Sequence, residues 1–286
     1  SLAIDSSLMI VRVVIENTST KGLPVEHGLS LWIEACGRRF FFDLGQGELF
    51  AENAAAMGLD VADAEFAIVS HGHYDHGGGI KTFLLQNNQA SVYLNVNALC
   101  GYYSKSVSPK DSGAQNEDSV RYIGLDSDLR FNGRIVLTDG VRELSEGLIL
   151  FSGCTGREWF SPANDRILKM ENGVLTKDDF LHEQSLVICE GSRRVLVAGC
   201  AHSGILNIMA KAENILGEPL TDVIGGFHLA GVDDIDFMDN FARELMRRSC
   251  RYYTCHCTGT EVYSRIQKVM GNQIEYIGCG DVFKIN

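Results

Sequence analysis

The chain has 286 residues, 45% hydrophobic and 22% charged, an ordinary balance for a globular protein with one large α/β domain or two modest ones. A formal net charge of −12 argues against a long nucleic-acid backbone as partner, since counterion release needs clustered Lys and Arg, but leaves a small anionic substrate open. Nine scattered cysteines follow no secreted-scaffold spacing and no apolar run reaches membrane-spanning length, so a reducing cytoplasm is the expected compartment. In chain order, the alternation of Leu8, Ile10, Arg12 and Val14 predicts a strand over 7–16, closed by turn signals over 17–22. Residues 25–34 read as a loop entering a second strand, and Arg39-Phe40-Phe41-Phe42 as a third that runs into Asp43. Asp43 at a strand end has two readings, a turn-capping carboxylate or an acceptor that orients a metal-binding histidine. His27, beside Glu26, is either a loop histidine or part of a site wall. A helix is expected over 52–58.

The apolar run over 64–69 reads as a buried strand and leads into Ser70-His71-Gly72-His73-Tyr74-Asp75-His76-Gly77-Gly78-Gly79, with a helical pattern over 80–85 behind it. Three of the eight histidines and an aspartate fall within six residues. His71 and His73, two apart on an extended segment, point the same way and can chelate one ion. Asp75 and His76 lie further round the turn and can reach a second. Neutral imidazoles with a carboxylate suit a divalent ion such as zinc. The glycines let the backbone pass close beneath. This H-x-H-x-D-H turn resembles the metal motif of the metallo-β-lactamase superfamily. The resemblance implies an α/β chain folded as an αββα four-layer sandwich over 1–286, with the first three strands in its first sheet.

A buried strand over 91–95 follows, and then the periodicity weakens. The polar stretch over 97–130 reads as an insertion; in relatives such insertions cover the active site or form dimer contacts, so a homodimer is expected as a partner arrangement. Lys105 and Lys110 within it are either exposed lysines or phosphate contacts. Strands are expected over 134–137 and 148–151, the latter ending in Ser152-Gly153-Cys154-Thr155-Gly156-Arg157. The superfamily usually places a histidine here, and this chain has none; Cys154 is the nearest soft ligand or a structural cysteine. Arg157 is expected as an anion clamp, because its planar fork suits carboxylate or phosphate. After His182-Glu183-Gln184, two apolar strands cover 185–189 and 194–198, the second leading into Gly199-Cys200-Ala201-His202. The resemblance puts a bridging aspartate at this strand end. Cys200 stands in its place, either as a thiolate ligand or as a small buried residue, and His202 is expected to complete the first metal's ligands.

An amphipathic helix is predicted over 205–216. Gly225-Gly226-Phe227-His228 follows a further strand, and His228 resembles the substrate-side histidine of phosphodiesterase members, a general acid or phosphate contact as against a hydrogen-bonded buried histidine. After a helix over 235–248, a strand over 251–254 ends in Cys255-His256-Cys257, whose histidine matches the last metal ligand of the superfamily. Alternation on an extended segment points Cys255 and Cys257 away from it. A helix over 261–270 and one strand over 275–285 close the chain. The segments EHGLS, GCAHSG, GGFHL and CHCTG together resemble the subgroup related to the synthase for a dihydropterin-methyl-ribofuranosylaminobenzene phosphate.

The expected activity is a metal-dependent hydrolase acting on a small phosphoester or other anionic substrate, at a mono- or binuclear site. His71, His73 and His202 would hold one ion, and Asp75, His76 and His256 the other. Asp75, His228 and Arg157 are the expected catalytic groups. Zinc is the expected ion, with manganese or iron as alternatives, and no membrane partner is expected. Three other readings stay open: a pterin-forming synthase, a di-iron redox enzyme, and a non-catalytic metal-binding or signalling member of the fold.

Overall fold

The computed structural model describes residues 8–106 and 119–286. Its first half contributes β1 (Met9–Ile15), β2 (Ser30–Ala35), β3 (Arg38–Phe42), α1 (Leu49–Ala56), β4 (Phe66–Ile68), α2 (Tyr74–Gly77), α3 (Ile80–Gln86), β5 (Ser91–Asn95), β6 (Tyr102–Lys105), β7 (Val120–Tyr122) and β8 (Ile135–Thr138). Next come five strands, β9 (Val141–Ser145), β10 (Leu148–Ser152), β11 (Ile167–Glu171), β12 (Val174–Lys177) and β13 (Gln184–Glu190). The last third is β14 (Arg193–Val197), α4 (Ile205–Leu216), β15 (Asp222–Ile224), α5 (Ile235–Met246), β16 (Arg251–Thr254), α6 (Thr260–Met270), β17 (Ile274–Tyr276) and β18 (Val282–Ile285).

Two seven-stranded sheets stack face to face, in the orders β18-β1-β2-β3-β4-β5-β8 and β17-β16-β15-β14-β13-β10-β9. Each is antiparallel at one side and parallel at the other: β3, β4, β5 and β8 run parallel, as do β14, β15, β16 and β17. Parallel strands are buried on both faces and so read as continuous apolar runs. The run Phe40-Phe41-Phe42 shows how one strand serves two layers. Phe40 and Phe42 face Leu186, Ile188, Val195 and Val197 of the opposite sheet, while Phe41 points outward to Phe50 and Phe83 beneath α1 and α3. On the far side, Leu196 and Val223 pack under α4, α5 and α6 through Met209, Phe241 and Ile266. The result is the expected helix–sheet–sheet–helix sandwich.

Three features depart from the sequence reading. The closing strand expected over 275–285 is two strands in different sheets, β17 beside β16 and β18 beside β1. The chain crosses between sheets at Gly278–Gly280, where Cys279 N–H donates to the Thr18 carbonyl (2.8 Å) and Gly280 N–H to the Val13 carbonyl (2.8 Å). Second, the ligand turn is partly helical, since Asp75 and His76 sit on α2. Third, the polar stretch over 97–130 contains β6 and β7, which join β11 and β12 in a separate four-stranded sheet of order β12-β11-β6-β7. Lys105 ends β6 and is exposed, whereas Lys110 lies outside the described residues. Among the described residues no helix is long and apolar enough to cross a membrane.

Candidate metal centre

The loops leaving β3, β4, β14, β15 and β16 gather at one edge of the sandwich, where the C-terminal ends of parallel strands leave a crevice. They carry Asp43, the His71–His76 segment, Cys200 with His202, His228, and His256. Four non-glycine residues in these loops have positive φ: Asp43 (63°), Ala201 (51°), His228 (49°) and His256 (50°). Each such conformation costs on the order of 1–3 kcal/mol and persists only where the surroundings enforce it. Close backbone approach has a similar signature. A Cβ on Gly72 would lie 2.2 Å from the Ala98 carbonyl oxygen, and one on Gly78 would lie 2.1 Å from that of Gln46.

One cluster is His71, His73 and His202. Their rings stand 4.5, 4.9 and 4.9 Å apart between centroids. All three are buried, and the Nε2 atom of each meets no hydrogen-bond partner. Their orientation is set from the other side of the ring for two of them: His71 Nδ1 lies 2.8 Å from Ser70 Oγ, and His202 Nδ1 lies 2.9 Å from Asn164 Oδ1. Burial, helped by neighbouring histidines, holds His71 and His202 well below the ordinary imidazole range and His73 down to about 3. Neutral rings present lone pairs. Buried polar atoms without partners are rare in proteins, and three on rings this close are a donor set that suits a divalent ion; by the proximity of ligand atoms, His71 and His202 group with Cys200, and His73 with Asp178 and His182.

The second cluster lies against the first. Asp75 Oδ2 is 3.1 Å from His256 Nε2, 3.2 Å from His27 Nε2 and 3.5 Å from His76 Nε2. The His76 and His256 Nε2 atoms are themselves 3.1 Å apart, and Cys200 Sγ is 3.1 Å from His76 Nε2. Burial alone would push the Asp75 carboxyl up, but His76, His256 and His27 outweigh it and hold it well below the usual carboxylate range. Burial pushes His76 down, yet Asp75 and Asp43 raise it to about 9. Burial lowers His256, and its Nδ1 is 2.7 Å from Asn17 Oδ1. Cys200 falls in metal-competent groups with both histidine clusters, and in a third with His228 and Cys257. It therefore occupies the centre of the arrangement.

Around these ligands stands a buried hydrogen-bonded frame. Asp43 accepts from Ser70 N–H (2.7 Å) and Ser70 Oγ–H (2.8 Å), and its Oδ2 lies 2.6 Å from His76 Nδ1. It is an orienting acceptor rather than a turn cap. Three consecutive residues at the start of β13 clamp two loops, those after β4 and β14. His182 Nδ1 accepts from Gly72 N–H (2.8 Å), and its Nε2 lies 3.0 Å from Asp178 Oδ2. Glu183 accepts from His202 N–H (2.7 Å) and Ser203 N–H (2.9 Å). Gln184 N–H donates to the Ser70 carbonyl (2.7 Å), and its Nε2 donates to the Val69 carbonyl (2.8 Å).

A cavity of about 370 Å³ opens above the clusters, lined among others by His27, His73, Asp75, Cys200, His202, His228 and His256. The structure thus brings together His71, His73, Asp75, His76, His202 and His256, with His228 against them, its ring 4.1 Å from that of His202 and both its nitrogens without partners. It does not bring Arg157 there. That guanidinium donates to the carbonyls of Cys154 (3.2 Å), Gly156 (2.7 Å) and Asp179 (2.6 Å) on an exposed loop, outside the cavity. Cys154 packs beside the α4–α6 core, away from the histidines. Cys257 is also placed differently from expectation. The segment after β16 is a 3-10 turn, so strict alternation fails, and Cys257 lines the cavity. Asn17, Asn164, His182 and Glu183 had no motif to mark them; the run His-Glu-Gln before a strand was the one visible signal.

No protein-family model matches the chain. The chain is 24% identical over 282 residues to an uncharacterised protein of Methanocaldococcus jannaschii, covering 96% of this chain and 100% of that one. It is 24% identical over 269 residues to the 7,8-dihydropterin-6-methyl-4-(β-D-ribofuranosyl)-aminobenzene-5'-phosphate synthase of the same organism, covering 91% and 90%. The solved structure of Tm1679, a metal-dependent hydrolase of the β-lactamase superfamily, superimposes with a TM-score of 0.80 at 27% identity, covering 97% of this chain and 99% of that one. The chain has the metallo-β-lactamase fold. The metallo-β-lactamase fold implies divalent-metal binding, and the unpartnered Nε2 atoms of His71, His73 and His202 fit that role on their own geometry. The synthase relative agrees with the subgroup that the EHGLS, GCAHSG, GGFHL and CHCTG segments resemble.

Proposed function

We propose that this protein is a metal-dependent hydrolase of small phosphoesters. The observation that carries the reading is the trio of buried, neutral, unpartnered Nε2 atoms at His71, His73 and His202, of which His73 and His202 line an open cavity. These three would hold one ion, and Asp75, His76 and His256 a second. Cys200, central to both sets, is a candidate shared ligand in place of a carboxylate. Zinc suits this nitrogen-rich set with one sulfur. When bound, such an ion supplies Lewis acidity and makes water nucleophilic near neutral pH. Asp75 stays ionised and accepts the nucleophile's proton. His228, whose ring nitrogens have no protein partner, faces the cavity from the opposite loop and donates to the leaving oxygen. Buried side chains around the floor fix these groups and keep bulk water from behind them.

The test combines elemental analysis of protein purified without added metal with turnover of a simple phosphodiester. One or two equivalents of metal with turnover support the reading. H71A and H73A should lose both metal and turnover, whereas lost metal with retained turnover sinks the mechanism. A second reading, synthase chemistry on a pterin phosphate, has one observation in its favour, the 24% identity to the named synthase over 91% of the chain. Metal content with no hydrolysis of any phosphoester would move the assignment there.

A further inference from the structure

The small sheet forms the cavity's outer wall. In its ladder Arg121 of β7 pairs with Ser104 of β6, and Ser104 pairs with Ile167 of β11. These three residues form one row across the sheet and all line the cavity, as does Arg166, which immediately precedes Ile167. Neighbouring strands are about 4.8 Å apart, so Arg121 and Arg166 flank Ser104 at a spacing their side chains can close. Arg121 is tied to the metal turn itself. Its Nη2 donates to Tyr74 Oη (3.0 Å), and its guanidinium lies 5.3 Å from the centre of the Tyr74 ring. A guanidinium carries five N–H donors, and Tyr74 takes one. Among the described residues the cavity's one lining carboxylate is Asp75, already engaged by three histidines, and neither arginine meets a carboxylate. In a chain of net charge −12, two such guanidinia at one cavity mouth make a local positive focus.

We propose that Arg121 and Arg166 form a phosphate subsite at the rim, which holds a second, non-reacting phosphate of the substrate while the reacting ester lies over the histidines. The second half of this statement rests on the hydrolase reading; the subsite itself does not. The two forks match the charge of a phosphate dianion and its several acceptor oxygens better than they match one carboxylate. The substrate class is then a small molecule with two phosphate groups set apart, rather than a lone phosphomonoester.

The experiment is calorimetric titration of inorganic phosphate into the chelator-treated full chain. R121A and R166A, both surface substitutions, should each weaken phosphate binding by about tenfold or more, as expected for loss of charged hydrogen bonds, and the double variant should abolish it. R157A removes the same charge outside the cavity and should leave binding as it was. R121K and R166K, which keep charge but lose the fork, should fall between. Undiminished binding in the double variant, or equal loss in R157A, overturns the subsite. With metal restored, the double variant should raise KM for a substrate bearing a second phosphate far more than KM for a simple phosphodiester; an equal KM change for both substrates also overturns it. If no phosphodiester is turned over while the phosphate titration behaves as stated, the hydrolase reading fails and the subsite stands.

Discussion

Asp43 has no solvent exposure, and its two oxygens serve Ser70 and His76 at once. Replacing it with asparagine keeps the shape and tolerates the left-handed backbone at φ 63°. It removes the charge that orients His76 Nδ1. D43N should therefore fold normally and lose about 10–100-fold in affinity at the second cluster, as outer-shell changes typically do. Chelator competition checks this, and unchanged affinity would remove Asp43 from the site. Protonation gives a second test on single residues. His71, His73 and His202 are neutral at pH 7, so loading the first cluster should release no proton from its histidines. His76 is raised to about 9 and must lose its proton to become a ligand. Affinity at the second cluster should thus rise with pH up to about 9. At about pH 7.5, filling it should release about one proton from His76, and a further one from Cys200 if its thiol, held up by burial, ligates. Zinc titration in a pH-stat counts them. C200S reduces the count by one only if Cys200 is a ligand.

At the scale of elements, the ligand turn is held by contacts that no local pattern reveals. Gly72 donates its N–H to His182, 110 residues away, and has backbone where a side chain would go. G72A forces a Cβ to 2.2 Å from the Ala98 carbonyl, which is backbone and cannot swing aside. It should unfold at markedly lower temperature and bind less metal even where folded. H182A leaves the buried Gly72 N–H without an acceptor, a cost of about 1–3 kcal/mol, and also removes the ring stacked on Tyr102 at 3.8 Å. Thermal unfolding reads both, and a wild-type melting temperature in either variant would contradict the clamp. The H-x-H-x-D-H turn was legible because its donors are chemically distinctive and lie on one short segment. His182, Glu183 and Gln184 were not, because their role exists only once β13 lies beside the loops after β4 and β14. The same holds for Arg121 and Arg166, whose ladder joins β7 to β11 across β6. Arg157 misled for the converse reason: its residue type suits an anion, but nearby carbonyls consume its donors.

At the scale of the molecule, most strands were legible from apolar runs and the four layers from the resemblance carried by the ligand turn, while the crossing at Gly278–Gly280 was not, since pairing partners rather than periodicity decide which sheet a strand enters. That two-sheet plan has a consequence for stability. His71, His73, Asp75 and His76 follow β4 in one sheet, whereas Cys200, His202 and His256 follow β14 and β16 in the other. A metal held by either cluster ties the sheets together at the edge where their loops meet. Such a ligand binds the folded chain and not the dispersed one, so it adds about 2.7 kcal/mol of stability at a free concentration near 100 times its Kd. For a chain of this size a shift of that order moves the melting temperature by roughly 5–10 °C. Chelator treatment should therefore lower the melting temperature by about that much, and added zinc should restore it in a concentration-dependent way. A variant carrying H71A and H202A starts low, because its first cluster is broken from both sheets, and should recover far less with zinc. H71A alone and H202A alone should resemble each other, although they lie in different sheets, since either removes the same tie. A chelator that strips the metal without moving the melting temperature would mean that the ion bridges nothing, and that the packing of the two sheets alone holds the halves in register.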